Sequence, residues 1–151
     1  ELLLEDAAVI IDSYGRYASP EAKRLMDTTR ESLYEGIRAA CAGGRIGDIG
    51  HAVQSYVEAR GYSVVRQFVG HGVGTHLHEA PEVPNFGIPG RGIRLMPGMT
   101  IAIEPMVNAG GYDVKVQPDG WTVLTKDGSL SAHFEHTIVI TADGPKIMTV
   151  V

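Results

Sequence analysis

The order of its expected helices and strands constrains the fold of this chain more than any other feature of the sequence. Ser19, Pro20 and Glu21 form a helix start, because serine caps a first turn and proline fits its first position. Apolar residues then recur at helical spacing over residues 19–42 and again over residues 46–60. Two helices are therefore expected in the first part of the chain.

After residue 61 the pattern changes to short β-rich runs separated by glycine- and proline-containing turns. The candidate strands in this part cover residues 62–69, 99–104, 114–117, 121–125, 132–140 and 147–151. A Gly/His-rich segment (70–79) and a proline-rich loop (80–97) are expected between the first two. Two helices packed on a curved antiparallel sheet make an α+β domain. With 151 residues and no internal repeat or linker, the chain is expected to form one domain over residues 1–151.

Charge, hydropathy and cysteine content exclude several classes of function. The net charge of −5 argues against nucleic acid as the main partner. No apolar run approaches the roughly 20 residues that span a bilayer, so no membrane partner is expected. Cys41 is the single cysteine, which rules out an intrachain disulfide and fits a reducing compartment. A cytoplasmic location is therefore expected.

Three side chains that can bind a metal ion stand in segments punctuated by glycine or proline: His71, Glu104 and Glu135. His71 lies between Gly70 and Gly72, and glycine permits a close approach to a ligand at φ values that other residues resist. One imidazole with carboxylates suits a divalent ion such as Mn, Fe, Co or Zn. The three residues together predict a site for metal-assisted hydrolysis.

Each of these residues also has a simpler explanation. His71 could lie in a flexible turn, and Glu104 could be an exposed glutamate at the end of a strand. A carboxylate after the apolar run 99–103 is costly when buried, however, unless it is paired or binds a metal. Alternation along the expected strand 132–140 would place Glu135 on the same face as Val139, where it also needs a partner.

Longer motifs around these residues resemble those of type I methionine aminopeptidases, which are pita-bread metallopeptidases. The resemblance covers roughly residues 19 to 148. The matching motifs are Gly70-His71-Gly72-Val73-Gly74, His78-Glu79-Ala80-Pro81, Pro97-Gly98-Met99, Ile103-Glu104-Pro105-Met106-Val107-Asn108, Asp119-Gly120-Trp121-Thr122-Val123 and Ser129-Leu130-Ser131-Ala132-His133-Phe134-Glu135-His136-Thr137.

The resemblance implies a pita-bread fold with two pseudo-symmetric halves, of which this chain would supply one half or a truncated form. It also implies removal of the N-terminal methionine from peptides or nascent proteins, with one or two divalent ions (Co, Mn, Fe or Zn) as cofactors. His71, Glu104 and Glu135 resemble three of the family's five metal ligands, and Glu104 would also act as general base.

Three further positions would contact the substrate by the same resemblance. His78 resembles the catalytic histidine that contacts the scissile peptide bond. Trp121 resembles the tryptophan near the pocket for the methionine side chain. Leu77 stands where the family often has a larger aromatic residue or methionine, so it would change the pocket wall.

The N-terminal part departs from the family pattern. The family's other two ligands are aspartates eleven residues apart, and Asp6 matches either the first or the second of them. If Asp6 is the first, the second position is occupied by Tyr17, which cannot replace a bridging carboxylate. A homodimer could replace the absent half. The alternatives to an enzyme are a non-catalytic binding or scaffold module, or an engineered half-domain with a vestigial metal site.

Overall fold

Two helices begin the part of the chain, residues 19–149, that the computed structural model describes. The first, α1, spans Pro20–Ala39, and the second, α2, spans Ile46–Glu58. The Ser19 hydroxyl accepts a hydrogen bond from the N–H of Ala22 at 3.2 Å, which confirms the predicted cap. Both helices end slightly earlier than the sequence pattern predicts.

Short strands make up the remainder of the described chain. They are β1 (Ser63–Val64), β2 (Gly70–Gly72), β3 (Glu79–Val83), β4 (Thr100–Ile103), β5 (Met106–Asn108), β6 (Val114–Val116), β7 (Val123–Thr125), β8 (Ser131–His133), β9 (His136–Thr141) and β10 (Gly144–Ile147). All of their pairings are antiparallel. The predicted α+β class, with two helices packed on antiparallel strands, is confirmed.

The strands form three sheets instead of the single sheet that was predicted. Five strands are ordered β10-β9-β4-β2-β3, three are ordered β1-β5-β8, and β6 and β7 form a separate hairpin. The division has a local cause: Pro105 has no N–H to continue the ladder after β4, and the expected strand 132–140 is interrupted between β8 and β9. The chain thus crosses between the two larger sheets after β4 and again before β9, in addition to the connection from β1 to β2.

Two further expectations about the strands were wrong. Residues 62–69 contain only the two-residue strand β1. The Gly/His-rich segment contains β2, and β3 extends into the expected proline-rich loop; the two strands pair through an irregular register between His71 and Gly72. Neither strand alternates apolar and polar residues, so periodicity could not reveal them.

The apolar core lies between the helices and the two larger sheets. One cluster of buried residues joins the helices to the five-stranded sheet and includes Leu33, Ile49, Leu95, Ile101, Ile103 and Ile138. A second joins them to the three-stranded sheet and includes Leu25, Val53, Val57, Val64 and Val107. Burial in both clusters fixes the two sheets relative to the helices. Across residues 19–149, neither helix combines the length and apolar character needed to cross a membrane.

Candidate metal centre

Glu104 and Glu135 lie at the seam where the chain crosses between the two larger sheets. Glu104 follows β4 and precedes β5, whereas Glu135 lies between β8 and β9. Because β4 pairs with β9 and β5 with β8, these two crossings run side by side. The register places Ile103 opposite His136 and Met106 opposite His133. The two glutamates therefore face each other at positions that neither ladder uses.

The expected position of Glu135 inside a continuous strand was wrong. Burial does alternate along β9, with His136, Ile138 and Ile140 buried, but the strand starts only after Glu135. The interruption releases this side chain from the strict two-sided alternation of a sheet.

His71 enters the same site from β2, the neighbour of β4 in the five-stranded sheet. The expected reason for its flanking glycines was wrong, since neither Gly70 nor Gly72 adopts a positive φ. The glycines are needed because strands approach closely. A β-carbon on Gly70 would lie 2.3 Å from the Ala102 oxygen, and one on Gly72 would lie 2.2 Å from the Ala80 oxygen.

The side chains of His71, Glu104 and Glu135 converge. One donor atom from each lies within 4.8 Å of the other two, and this is the one such group of metal-competent side chains among the described residues. His71 Nε2 is 3.4 Å from Glu104 Oε1, and their side chains are only 13% and 14% exposed. Two ligand atoms about 2.1 Å from a tetrahedral ion are separated by roughly 3.4 Å, so this distance fits a shared ion.

The hydrogen bond at the other ring nitrogen prepares His71 for a metal. Its Nδ1 is 2.9 Å from the carbonyl oxygen of Gly72. A carbonyl only accepts, so Nδ1 donates to it, and Nε2 is the ring nitrogen left to bind a metal. Nε2 faces the Glu104 carboxylate, so a cation between them would contact both groups. The same arrangement fixes the tautomer of histidine ligands in metal sites generally.

The two carboxylates also favour a cation. Burial, and then the negative charge of Glu104, raise the pKa of the Glu135 carboxyl. The neighbouring imidazoles of His133, His71 and His78 act in the opposite direction. A divalent ion offsets both the burial and the repulsion between the acids. One imidazole and two carboxylates therefore fit a hard-to-borderline divalent ion.

Asn85 is hydrogen-bonded to the backbone of Glu104. This residue is fully buried, and its side-chain N–H donates to the backbone oxygen of Glu104 at 3.1 Å. The contact fixes the backbone at the point where β4 ends. Asn85 is neither an imidazole nor a carboxylate, and its place in the proline-rich segment 80–97 gave no sign of this role.

His133 is a site residue that the motif analysis quoted without giving it a role. Its Nε2 lies 3.4 Å from Oε2 of Glu104, and its side chain is 42% exposed. The sequence signal that could have found it is its distance of two residues from Glu135. Recognising that signal requires the pairing of His133 with Met106, which the sequence does not display.

Of the remaining predicted positions, His78 contacts this centre. The rings of His78 and His71 are in contact, with centroids 4.2 Å apart and planes inclined by 52°. Leu77 is 60% exposed beside His78. Trp121 lies in the turn between β6 and β7 with 88% of its surface exposed, and Asp6 lies outside the described residues.

Known proteins share the sequence and the fold of this chain. Residues 6–142 match the metallopeptidase family M24. The chain belongs to that family. The chain is 57% identical over 133 residues to a methionine aminopeptidase of Clostridium perfringens. The match covers 88% of the chain and 53% of that protein. It is 55% identical over 131 residues to methionine aminopeptidase 1 of Bacillus subtilis, covering 87% and 53% respectively.

Solved structures show the same relationship. A methionine aminopeptidase from Thermotoga maritima superposes on the M24 chain with a TM-score of 0.87 at 50% identity, covering 89% of the chain and 54% of that structure. An Xaa-Pro dipeptidase from Bacillus anthracis superposes with a TM-score of 0.67 at 22% identity, which shows a shared fold alone. The chain spans about half the length of the methionine aminopeptidases it matches.

Proposed function

We propose that this chain carries the metal site of an aminopeptidase that removes N-terminal methionine from peptides or nascent proteins. The observation that carries the proposal is the convergence of His71, Glu104 and Glu135, brought together from β2 and the two crossings of the sheet seam. The likeness to methionine aminopeptidases supports the choice of substrate. Fold alone would not support an activity, because one fold serves many functions.

The proposed cofactor is one divalent ion, Co, Mn, Fe or Zn, held by His71, Glu104 and Glu135. When bound, such an ion supplies a Lewis acid that polarises the scissile carbonyl. Two carboxylates balance the charge of a single divalent ion, and a second ion would need further acids. Asp6 is the proposed additional ligand.

The side chains have distinct proposed roles in hydrolysis. The Glu104 carboxylate takes a proton from the attacking water and delivers it to the departing amine. His78, in ring contact with His71 and exposed to solvent, can donate a hydrogen bond to the peptide carbonyl oxygen as negative charge develops there. Leu77 and Trp121 are proposed to line the pocket for the methionine side chain, and both are exposed enough to be reached.

Methionine release tests the proposal. The chain is incubated with a Met-Ala-Ser peptide and Co²⁺, Mn²⁺ or Fe²⁺, and free methionine is measured. Glu104→Ala removes both a ligand and the proton carrier, so release should stop. His51→Ala is a suitable control, because His51 is exposed on α2 and is bonded only weakly to Ser55. Equal release by the chain and by Glu104→Ala would end the catalytic proposal.

We also propose that the protein works in the cytoplasm and associates with a second copy of itself. The single cysteine fits a reducing compartment. Exposed apolar residues on the β6–β7 hairpin provide a surface for association: Val116, Val123 and Leu124. Light scattering after size exclusion measures the mass directly, and a clean monomer at micromolar concentration would rule out the dimer.

A further inference from the structure

The carboxylate of Glu104 lies between two imidazoles. Its Oε1 is 3.4 Å from Nε2 of His71, and its Oε2 is 3.4 Å from Nε2 of His133. The first contact belongs to the metal centre. The second reaches the opposite oxygen of the same group.

His133 lies outside the group of converging metal ligands. Of the metal-competent residues in the range 19–149, only His71, Glu104 and Glu135 have donor atoms that lie mutually within 4.8 Å. Nε2 of His133 is nevertheless buried, and it has no hydrogen-bond partner of good geometry. A buried ring nitrogen without a partner is costly. The Glu104 carboxylate is the acceptor within reach.

The strand register explains why His133 approaches Glu104 from the three-stranded sheet. His133 ends β8 and pairs with Met106 at the start of β5, two residues after Glu104. The side chain of His133 therefore projects from the three-stranded sheet, next to the crossing that contains Glu135. His71 starts on the other side, in the five-stranded sheet.

We propose that His133 is a positioning residue for Glu104. It holds Oε2, so that Oε1 stays directed at the metal. This inference rests on the proposed metal centre. The terminal torsion of a glutamate has a broad, nearly two-fold profile, so the carboxylate turns unless a partner fixes it. A small rotation of the His133 ring converts the 3.4 Å contact into a hydrogen bond to Oε2.

The test compares two substitutions by Co²⁺ titration, followed by the visible absorption of the bound ion. His133→Leu removes the donor, whereas His133→Gln keeps an N–H at a similar reach. Leucine should weaken Co²⁺ binding by about 10–100-fold, as is typical when an outer-shell partner is lost, and glutamine by clearly less. The absorption band should shift in the leucine variant and return toward its original position in the glutamine variant. His51→Leu and His51→Gln serve as matched controls.

Two results would overturn the proposal. One is a leucine variant with unchanged affinity and spectrum. The other is a glutamine variant as weak as the leucine variant, which would make the imidazole a ligand or a packing element.

A metal-free experiment separates this inference from the proposed function. A double-mutant cycle in urea unfolding combines His133→Leu with Glu104→Ala, each of which removes one partner of the contact. Shifts of the midpoint that are not additive support the pair, and additive shifts refute it. If the unmodified chain binds no Co²⁺, the proposed metal centre fails, while this cycle still decides whether His133 holds Glu104.

Discussion

Replacing Gly70 with alanine tests whether close strand approach, more than backbone freedom, explains the glycines around His71. The new β-carbon would lie 2.3 Å from the Ala102 oxygen on β4 and 3.2 Å from the Val83 oxygen on β3. Ordinary contact begins at 3.4 Å, so β2 and β4 must separate by about 1 Å. Both contacted atoms belong to the backbone of paired strands and cannot rotate away.

The expected cost follows from two opposing effects. Overpacking typically costs about 1–3 kcal/mol, and the rigid contacts place Gly70→Ala at the upper end. Alanine is less flexible than glycine in the unfolded chain, and this stabilises the folded state by about 0.4–1 kcal/mol. The net loss is therefore about 2 kcal/mol, or about 4–8 °C in melting temperature for a domain of this size.

The same displacement should weaken metal binding, because it moves His71 away from Glu104. Metal sites need ligands held within about 0.5 Å, so we expect the Co²⁺ affinity to fall by about tenfold or more. Urea unfolding and Co²⁺ titration measure the two effects. Gly111→Ala is the control, since the nearest atom to its β-carbon would be 3.7 Å away. A Gly70→Ala chain as stable as this control, with unchanged Co²⁺ affinity, would refute the reasoning.

Three further predictions concern Glu135, His78 and Ser19. Glu135→Gln should raise the melting temperature of the metal-free chain at pH 7 but not at pH 3. The pKa of this carboxyl is raised in the folded state, so its ionisation destabilises the fold as the pH rises above the unfolded pKa of 4.5. Equal effects at both pH values would contradict this. His78→Ala should leave Co²⁺ affinity nearly unchanged but slow methionine release about 10²–10⁴-fold, and a loss of metal binding would instead make His78 a ligand. Ser19→Ala should cost about 1 kcal/mol in urea unfolding through loss of the α1 cap, and an unchanged midpoint would show that the cap contributes little.

The helices were predictable because their signals are local. Ser19 and Pro20 mark the start of α1, and apolar spacing then identifies the buried face. The strands β2 and β3 were not predictable in this way. They are held by neighbouring strands and not by their own alternation, and the tight packing around Gly70 and Gly72 depends on distant residues.

The candidate site divides in the same way. His71, Glu104 and Glu135 were identified from residue type and from the family resemblance, and the structure brings them together. Asn85 and His133 were not identified, because their roles depend on which residue lies opposite them or behind them. A single sequence contains the residue types of a site but not the pairing register that assembles it.

The most direct test of the central claim is the melting temperature with and without Co²⁺, measured for the chain and for His71→Ala. A metal that binds only the folded state stabilises it by about 2.7 kcal/mol at 100 times its dissociation constant, or about 5–11 °C for a domain of this size. His76→Ala is the control, since His76 is exposed and its side chain pairs with Glu79, outside the group of converging ligands. The account predicts that Co²⁺ raises the melting temperature of the chain and of His76→Ala but not that of His71→Ala. An equal rise in all three proteins would contradict it.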